Sequence, residues 1–295
     1  MADAAPTSAA ARRGQYFREL VRGRTAFWSL FAGVAASVVF GGALHDVRVA
    51  AAGPVVTALA IVLIAYQTAA RRAEDEFFAS LAPTLGLEYT IRSALPPATP
   101  LLAAGDRQTC AHTMQGPLFG SLGGPGCMLA HYTYEIRRDV DVHEGQVTHW
   151  TPHRFTVCAV DLGGPLDRYR GLFLRRRPSG LKLDHDWLDR APKPRKIELE
   201  SERFNDVYDL RAARDQDDLA VRELFAPSFV VWLAEHPLQP GFECKAGTLL
   251  VFVPGHESSA GKLTMLHEAA REITRRLARQ VDQSAQAATP ATAGR

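Results

Sequence analysis

The sequence has little cysteine, little net charge of either sign and no internal repeat. Its 295 residues include four cysteines, and the formal net charge is only +2. Hydrophobic residues make up 46% of the chain and charged residues 22%. This composition excludes a disulfide scaffold, a collagen-like repeat, a disordered chain and a transporter with many membrane spans. The length allows one large domain or two smaller units.

The cysteines are scattered and form neither a close pair nor a Cys-x-x-Cys motif. They are Cys110, Cys127, Cys158 and Cys244. This usage is typical of a reducing compartment, so we expect free thiols. Cys158 lies in the apolar run RFTVCAVDL and is interpreted as a small core residue.

The small net charge hides an uneven distribution along the chain. Residues 1–72 hold eight arginines against three acidic residues, which gives +5. The remainder holds 26 basic and 29 acidic residues, which gives −3. The basic excess is therefore confined to the N-terminal part, and the chain is not expected to bind nucleic acid.

Two uncharged apolar segments, residues 25–44 and 49–70, account for this N-terminal part. About 20 helical residues cross a hydrocarbon core of about 30 Å, so both segments qualify as membrane spans. The short connection, residues 45–48, predicts a tight antiparallel hairpin, and the lipid bilayer is the expected partner of both helices. The alternatives are a pair of buried helices in a soluble core and a cleaved signal peptide, which a second span disfavours.

Arginines flank the two spans and set the expected orientation. Only Arg48 lies between the spans, whereas the other arginines of this part lie before the first or after the second. These flanking topology residues are Arg12, Arg13, Arg18, Arg22, Arg24, Arg71 and Arg72. Because positive residues stay on the cytoplasmic side, we expect a multi-pass protein of the inner or plasma membrane with both termini cytoplasmic.

Small residues recur every four positions in the first span. They are Ser29, Gly33, Ser37 and Gly41. Such a stripe allows the close backbone approach on which helix association in lipid depends. We expect the stripe to pack against the second span, and the rival use is an interface between two copies of the chain.

After the spans, strand-like and helix-like segments alternate irregularly, which predicts an α+β domain with a mainly antiparallel sheet and packed helices. The domain is expected to cover residues 71–282, preceded by a basic segment at 1–24 and followed by a disordered tail at 283–295. The second span is expected to continue as a helix beyond Arg72. Predicted strands cover 87–91, 109–114, 126–138, 154–162, 196–200, 208–212, 242–246 and 248–253, and predicted helices 215–225, 228–236 and 262–281.

The loop at residues 251–264 resembles a phosphate-binding loop only in its strand–glycine–helix context. Five residues lie between Gly255 and Gly261 instead of four, and Leu263 replaces the hydroxyl residue. Ser258 or Ser259 is better interpreted as a helix N-cap.

The histidines do not form a complete set of metal ligands either. His267-Glu268 begins a zinc-protease pattern, but Arg271 occupies the position of the second histidine. His143, His149 and His153 lack a further ligand at suitable spacing. We therefore expect no catalytic residue, no metal and no cofactor.

Two basic runs, Arg175–Arg177 and Lys193–Lys196, are interpreted as solvated loops. Under an anionic leaflet they could instead contact lipid headgroups.

One stretch, residues 196–233, has a more distinctive pattern. The residues that form this pattern are Leu199, Glu200, Ser201, Phe204, Tyr208, Asp215, Ala220, Leu224, Pro227 and Phe229. With Gly105-Asp106-Arg107 and two preceding spans, it resembles the bacterial membrane-anchored family called domain of unknown function 3137. The resemblance covers roughly residues 75–260. It implies a membrane-tethered cytoplasmic domain, sometimes associated with LemA-type membrane proteins, and it implies no reaction.

Two classes of function follow. The favoured one is a non-enzymatic, membrane-tethered cytoplasmic module that binds a protein partner or the membrane surface, with a homo-oligomer also open. The alternative is a hydrolytic or nucleotide-dependent enzyme that uses His256, Ser258, Ser259 and Lys262.

Overall fold

The computed structural model describes residues 47–120, 124–142, 145–163, 171–177 and 194–288, with isolated positions at 13, 14, 16–18, 35 and 169. These residues belong to two compact units. The N-terminal unit is Met1–Leu81 with Ser258–Ala260, and the sheet unit is Ala82–Glu257 with Gly261–Arg295.

The N-terminal unit is built on one long helix, α1 (Val47–Leu81). This helix contains the second predicted span and continues past Arg72, as expected from the sequence. A 3-10 turn, Ala82–Leu85, follows it. Within the part of the chain that the structure describes, no helix has both the length and the hydropathy of a membrane span.

The predicted hairpin is not found, because the first span lies outside the described residues except for Ala35. The four small residues of the predicted packing stripe also lie outside them, as do Arg12, Arg22 and Arg24.

Described residues near the N-terminus contact the second half of α1. The Arg13 guanidinium donates a 3.0 Å hydrogen bond to the Tyr66 hydroxyl and lies 5.8 Å from the centre of its ring. Phe17 meets the same ring edge-to-face at 6.0 Å, and the Tyr16 hydroxyl bonds to the Glu76 carboxylate. The segment at 13–17 therefore lies beside α1 residues 66–76.

The sheet unit contains a nine-stranded sheet in which every pair of neighbours is antiparallel. Its spatial order is β1-β2-β3-β4-β9-β8-β5-β7-β6. The strands are β1 (Glu88–Thr90), β2 (Arg107–Pro117), β3 (Gly126–Val142), β4 (Gly145–Asp161), β5 (Leu172–Arg176), β6 (Arg195–Ile197), β7 (Tyr208–Ala212), β8 (Gly241–Lys245) and β9 (Thr248–Pro254).

Among the described residues, four helices accompany the sheet, and two begin at capping side chains. They are α2 (Glu202–Val207), α3 (Asp218–Leu224), α4 (Pro227–Glu235) and α5 (Ala260–Ala288). The Ser201 hydroxyl accepts from the Phe204 N–H, and the Asp217 carboxylate accepts from the N–H groups of Leu219 and Ala220. These bonds satisfy donors that the first helical turn leaves without a partner.

Each face of the sheet carries its own core, because side chains alternate along a strand. On the first face, a cluster that includes Tyr132, Tyr134, Phe155 and Phe252 packs against Leu101 and Leu102 from the segment before β2. The opposite face carries α4 and α5. There His267 reaches Cys127, and Phe229 packs beside Phe242 at 6.4 Å.

The predicted α+β class with an antiparallel sheet is confirmed. Strand β5 was not predicted, since its LFLRR sequence contains part of a basic run. Helix α5 extends to Ala288, six residues beyond the predicted domain end at 282.

Candidate functional site

A cleft of about 770 Å³ lies where strands β2, β3 and β4 end. Its lining is mostly apolar and includes Leu95, Pro96, Ala98, Pro117, Met128, Ala159 and Val160. Concave sites of this size and character are the usual binding sites of proteins.

Two glycines shape this cleft, one by allowing a close backbone approach and the other by leaving open space. Gly116 of β2 lies against Gly86, whose carbonyl oxygen would be 3.1 Å from any added Cβ. Gly126, at the start of β3, has open space where its Cβ would be. A larger side chain at 126 would project into the cleft, because Gly126 lines it and lies on the same face of β3 as Met128.

Carboxylates stand at the edge of the cleft. Glu88 and Asp161 line it and are exposed. Among the described lining residues none is basic. The cleft thus combines an apolar floor with an acidic rim.

One wall of the cleft comes from Leu95, Pro96 and Ala98. They belong to residues 95–104, which contain neither helix nor strand and which we call the wall segment. Two side chains of the sheet bind its backbone. The Leu101 N–H donates a 2.9 Å hydrogen bond to Glu243 Oε2. The Tyr132 hydroxyl donates to the carbonyl oxygens of Leu101 and Leu102, at 3.3 and 3.0 Å.

Glu243, on central strand β8, is completely buried, and its nearest cation is Arg175 of β5. Arg175 Nη2 lies 3.7 Å from Glu243 Oε1, which is longer than a hydrogen bond. Burial raises the pKa of Glu243 to about 7, although the attraction of Arg175 and the Leu101 hydrogen bond oppose this. Burial also lowers the pKa of Arg175 to about 9. For both groups the free-energy cost of losing hydration exceeds the gain from their mutual attraction, as is common for buried ion pairs.

A thiol cluster lies on the opposite face of β3. Cys127 Sγ is 3.9 Å from His267 Nε2, and its other hydrogen-bond partner is Cys158 of β4, which is paired in the sheet with Leu129. A hydrogen bond from the Cys158 thiol lowers the pKa of Cys127 to about 6, and His267 and Arg271 add to this effect. The same hydrogen bond, together with burial, raises the pKa of Cys158. Cys127 also lines the cleft, but neighbouring strand residues point to opposite faces, so its sulfur lies toward α5 while Met128 faces the other side.

Two residues of the alternative, enzymatic hypothesis, His256 and Lys262, take part in structural contacts. His256 Nε2 bonds to the Thr133 hydroxyl at 3.1 Å and to the Tyr132 carbonyl at 3.3 Å, and its ring stacks on His131 at 4.4 Å. Lys262 pairs with Glu257 at 3.0 Å. Ser258 and Ser259 directly precede α5.

The described residues contain no group of three or more histidine, cysteine or acidic side chains that could hold a metal ion. Of the three histidines considered from sequence, His143 lies outside the described residues. His149 is exposed on β4, and His153 stacks on Tyr134 at 4.7 Å.

The interpretation of Arg175–Arg177 as a solvated loop is wrong for its first two residues. Arg175 and Arg176 belong to β5, and Arg175 is only 8% exposed. In the second basic run the interpretation as a loop is wrong for Arg195 and Lys196, which belong to β6. Arg195 pairs with Asp218 and Lys196 with Glu198, while Lys193 lies outside the described residues.

Sequence reasoning missed the cleft, the Glu243–Arg175 pair and the Cys127–His267 contact. Each joins residues far apart in the chain, and sequence spacing contains no sign of such contacts. One local signal was available for Glu243, because a single carboxylate inside the apolar strand GFECK is unusual unless it is paired.

Comparison with known proteins yields one remote likeness. No protein-family model matches the chain, and no curated protein matches it. Among solved structures, the mycobacterial trehalose monomycolate transport factor A, TtfA, matches with 15% sequence identity and a TM-score of 0.42. The match covers 72% of this chain and 94% of that one.

Proposed function

We propose that this chain is a non-enzymatic, membrane-tethered module whose cytoplasmic α+β domain binds a protein partner through the cleft. The observation that carries the proposal is the combination of an apolar floor with a rim of carboxylates. The bound segment is an apolar side chain or short apolar stretch that lies next to a lysine or arginine.

The two parts of the cleft account for the two parts of this ligand. Removing apolar surface from water contributes about 25 cal/mol per Å², so the floor around Met128 and Ala159 favours an apolar occupant. Glu88 and Asp161 attract a neighbouring cation and repel an anionic lipid headgroup. Charge at the rim therefore favours a protein partner over the membrane surface.

Membrane tethering rests on the two uncharged segments and on the surface of α1. Seven of the eleven exposed large apolar side chains of the described residues lie on α1, between Val55 and Tyr66. At 3.6 residues per turn they spread over about 200° of the helix circumference. In water such a surface is an unusually large apolar patch, and in a bilayer it needs no further cover.

The expected orientation is supported by the contacts of the N-terminal segment. Arg13 and Tyr16 lie beside Tyr66 and Glu76 on α1. A segment before the first proposed span thus meets the end of the second, which supports placing both on the same side of the bilayer. Tyr66 suits the interface there, where aromatic side chains are enriched.

The family resemblance of residues 196–233 supports a membrane protein, of the LemA type, as one candidate partner. This membership and this partner are part of the proposal.

Binding of probe peptides to the full chain in nanodiscs tests the function. The probe is a short labelled peptide with two leucines followed by lysine, and its control has glutamate in place of lysine. We expect the lysine peptide to bind at least tenfold more tightly by fluorescence anisotropy.

Two variants place this binding in the cleft. Gly126→Trp fills the cleft from a position with open space, and Val231→Trp adds the same ring at an exposed site on α4. We expect Gly126→Trp to abolish binding and Val231→Trp to retain it. Equal binding of both peptides, or equal loss in both variants, would overturn the proposal.

A further inference from the structure

The cleft wall and the buried carboxylate of Glu243 are physically connected. Leu95, Pro96 and Ala98 line the cleft, and three residues later the Leu101 N–H binds Glu243 Oε2. Leu101 and Leu102 are themselves buried in the core of the first sheet face. Loss of these contacts would release the segment that forms one side of the cleft.

The wall segment also determines how far Glu243 is removed from water. Glu243 is 0% exposed, and the segment supplies the Leu101 N–H and the nearby Thr99 hydroxyl that cover it. Displacing the segment would hydrate the carboxylate. An ionised carboxylate gains much more from hydration than a neutral one does, so its charge opposes closure.

From this geometry we propose that Glu243 is a proton-controlled latch of the cleft: the neutral carboxyl holds the wall segment closed, and ionisation favours its release. This inference rests on the proposed function of the cleft, and it identifies how that site is regulated.

The surrounding charges do not cancel this effect. Arg175 of β5 is the nearest cation, at 3.7 Å, and Lys245 lies on the same strand as Glu243. Tyr132 of β3 faces the site as a neutral hydroxyl, since burial raises its pKa. The further charged or titratable groups act on Arg175 and are Asp209 and Arg211 of β7 and Tyr134 of β3.

The direction of the pH dependence follows from the raised pKa of Glu243. In the closed form the pKa is about 7, against an ordinary value of 4.5 when the group is hydrated. Closure therefore binds a proton, and its stability falls as the pH rises from about 4.5 to 7 and is constant above that. With these two values, the opening equilibrium rises about tenfold between pH 6 and pH 8.

Hydrogen exchange on the full chain in nanodiscs, without any peptide, tests the latch. The reporters are the amides of Leu101 to Ala104, expressed as protection factors so that the intrinsic pH dependence of exchange is removed. We expect protection to fall about tenfold from pH 6 to pH 8. Strand β4 residues 157–159 report global unfolding, and their protection should exceed that of the wall segment at both pH values if the segment opens locally.

Two variants separate the latch from ordinary loosening of the segment. Glu243→Gln keeps the acceptor for Leu101 but cannot ionise, so protection should be at least tenfold higher than wild type at pH 8 and the same at both pH values. Tyr132→Phe removes the hydrogen bonds to Leu101 and Leu102, so protection should fall at both pH values while the pH step remains. An unchanged pH step in Glu243→Gln, or no step in the wild type, would overturn the latch.

The leucine–lysine peptide distinguishes failure of the latch from failure of the binding proposal. If the latch is right, the peptide binds more weakly at pH 8 than at pH 6 in the wild type, by at most the same tenfold, and equally at both in Glu243→Gln. A pH step in exchange without peptide binding means that the binding proposal fails and the latch remains. Peptide binding without a pH step in hydrogen exchange means that the latch fails and the binding proposal remains.

Discussion

Cys127 shows how a single side chain acquires unusual chemistry from neighbours on two other elements. Its sulfur accepts a hydrogen bond from the Cys158 thiol of β4 and lies 3.9 Å from His267 of α5. Donors that bind a thiolate stabilise the charged form, which offsets the cost of burial and lowers the pKa. All four cysteines are free thiols.

Removal of the Cys158 donor should return Cys127 toward ordinary thiol behaviour. In Cys158→Ala we expect the pKa of Cys127 to rise from about 6 toward its ordinary value of 9. His267→Gln should raise it by a smaller amount, because His267 is the weaker of the two hydrogen-bond partners. The measurement is thiolate absorbance near 240 nm against pH, with Cys127→Ala subtracted. A titration near pH 6 that persists in Cys158→Ala would contradict this account.

Gly105 is required at the turn that leads from the wall segment into β2. Its φ is +75°, and a Cβ would lie 2.8 Å from the Glu135 carbonyl oxygen. Gly105→Ala should therefore lower the free energy of unfolding by about 1–3 kcal/mol, through backbone strain and the close contact. Gly126→Ala is the matched control, since its Cβ meets nothing within 4 Å. Urea denaturation measures both, and equal stability of the two variants would show that Gly105 is unstrained.

At the scale of elements, helix α3 depends on the side chain that caps its N-terminus. Asp217 accepts from the N–H groups of Leu219 and Ala220, at 3.1 and 3.3 Å. Asp217→Ala should destabilise the protein by about 1 kcal/mol, as is typical when an N-cap is removed. Asp215→Ala, an exposed residue two positions earlier, should change the stability by less than about 0.5 kcal/mol. Thermal unfolding measures both variants. A loss of stability in Asp217→Ala no larger than that in Asp215→Ala would exclude a capping role.

The elements themselves were largely predictable from sequence, and their joint arrangement was not. Alternating and aromatic residues predicted most of β3 and the second half of β4. Strand β5 was missed because its two arginines resembled a solvated run, although Arg175 is buried against Glu243. The pairing of β8 with β5, which brings these two charges together, bridges residues about 70 positions apart. No local pattern encodes such a pairing.

At the scale of the whole molecule, Glu243 contributes a pH-dependent term to stability. Its pKa is higher in the folded chain, about 7, than its ordinary 4.5, so the folded state binds the additional proton. Its contribution to stability is present below about pH 4.5 and is lost as the pH rises to 7.

Glu243→Gln should therefore gain stability relative to wild type between pH 5 and pH 8, by a few kcal/mol at most. Urea midpoints at several pH values measure this difference between the two proteins. Since only Glu243 differs, the pH dependence of groups that do not interact with it cancels. A constant difference across this range would show that Glu243 titrates normally in the folded protein.

The proposed membrane topology is a prediction for the whole chain, and it rests on the arginines that flank the two apolar segments. If both arginine-flanked ends are cytoplasmic, the connection between the spans, residues 45–48, lies outside. Val47→Cys should then react with an impermeant maleimide in intact cells, whereas Asp215→Cys, exposed on the sheet unit, should react only after lysis. The wild-type chain gives the background, because three of its four cysteines are buried. Labelling of Asp215→Cys in intact cells would contradict the proposed orientation. Release of the chain from membranes by carbonate would contradict the proposed membrane anchor.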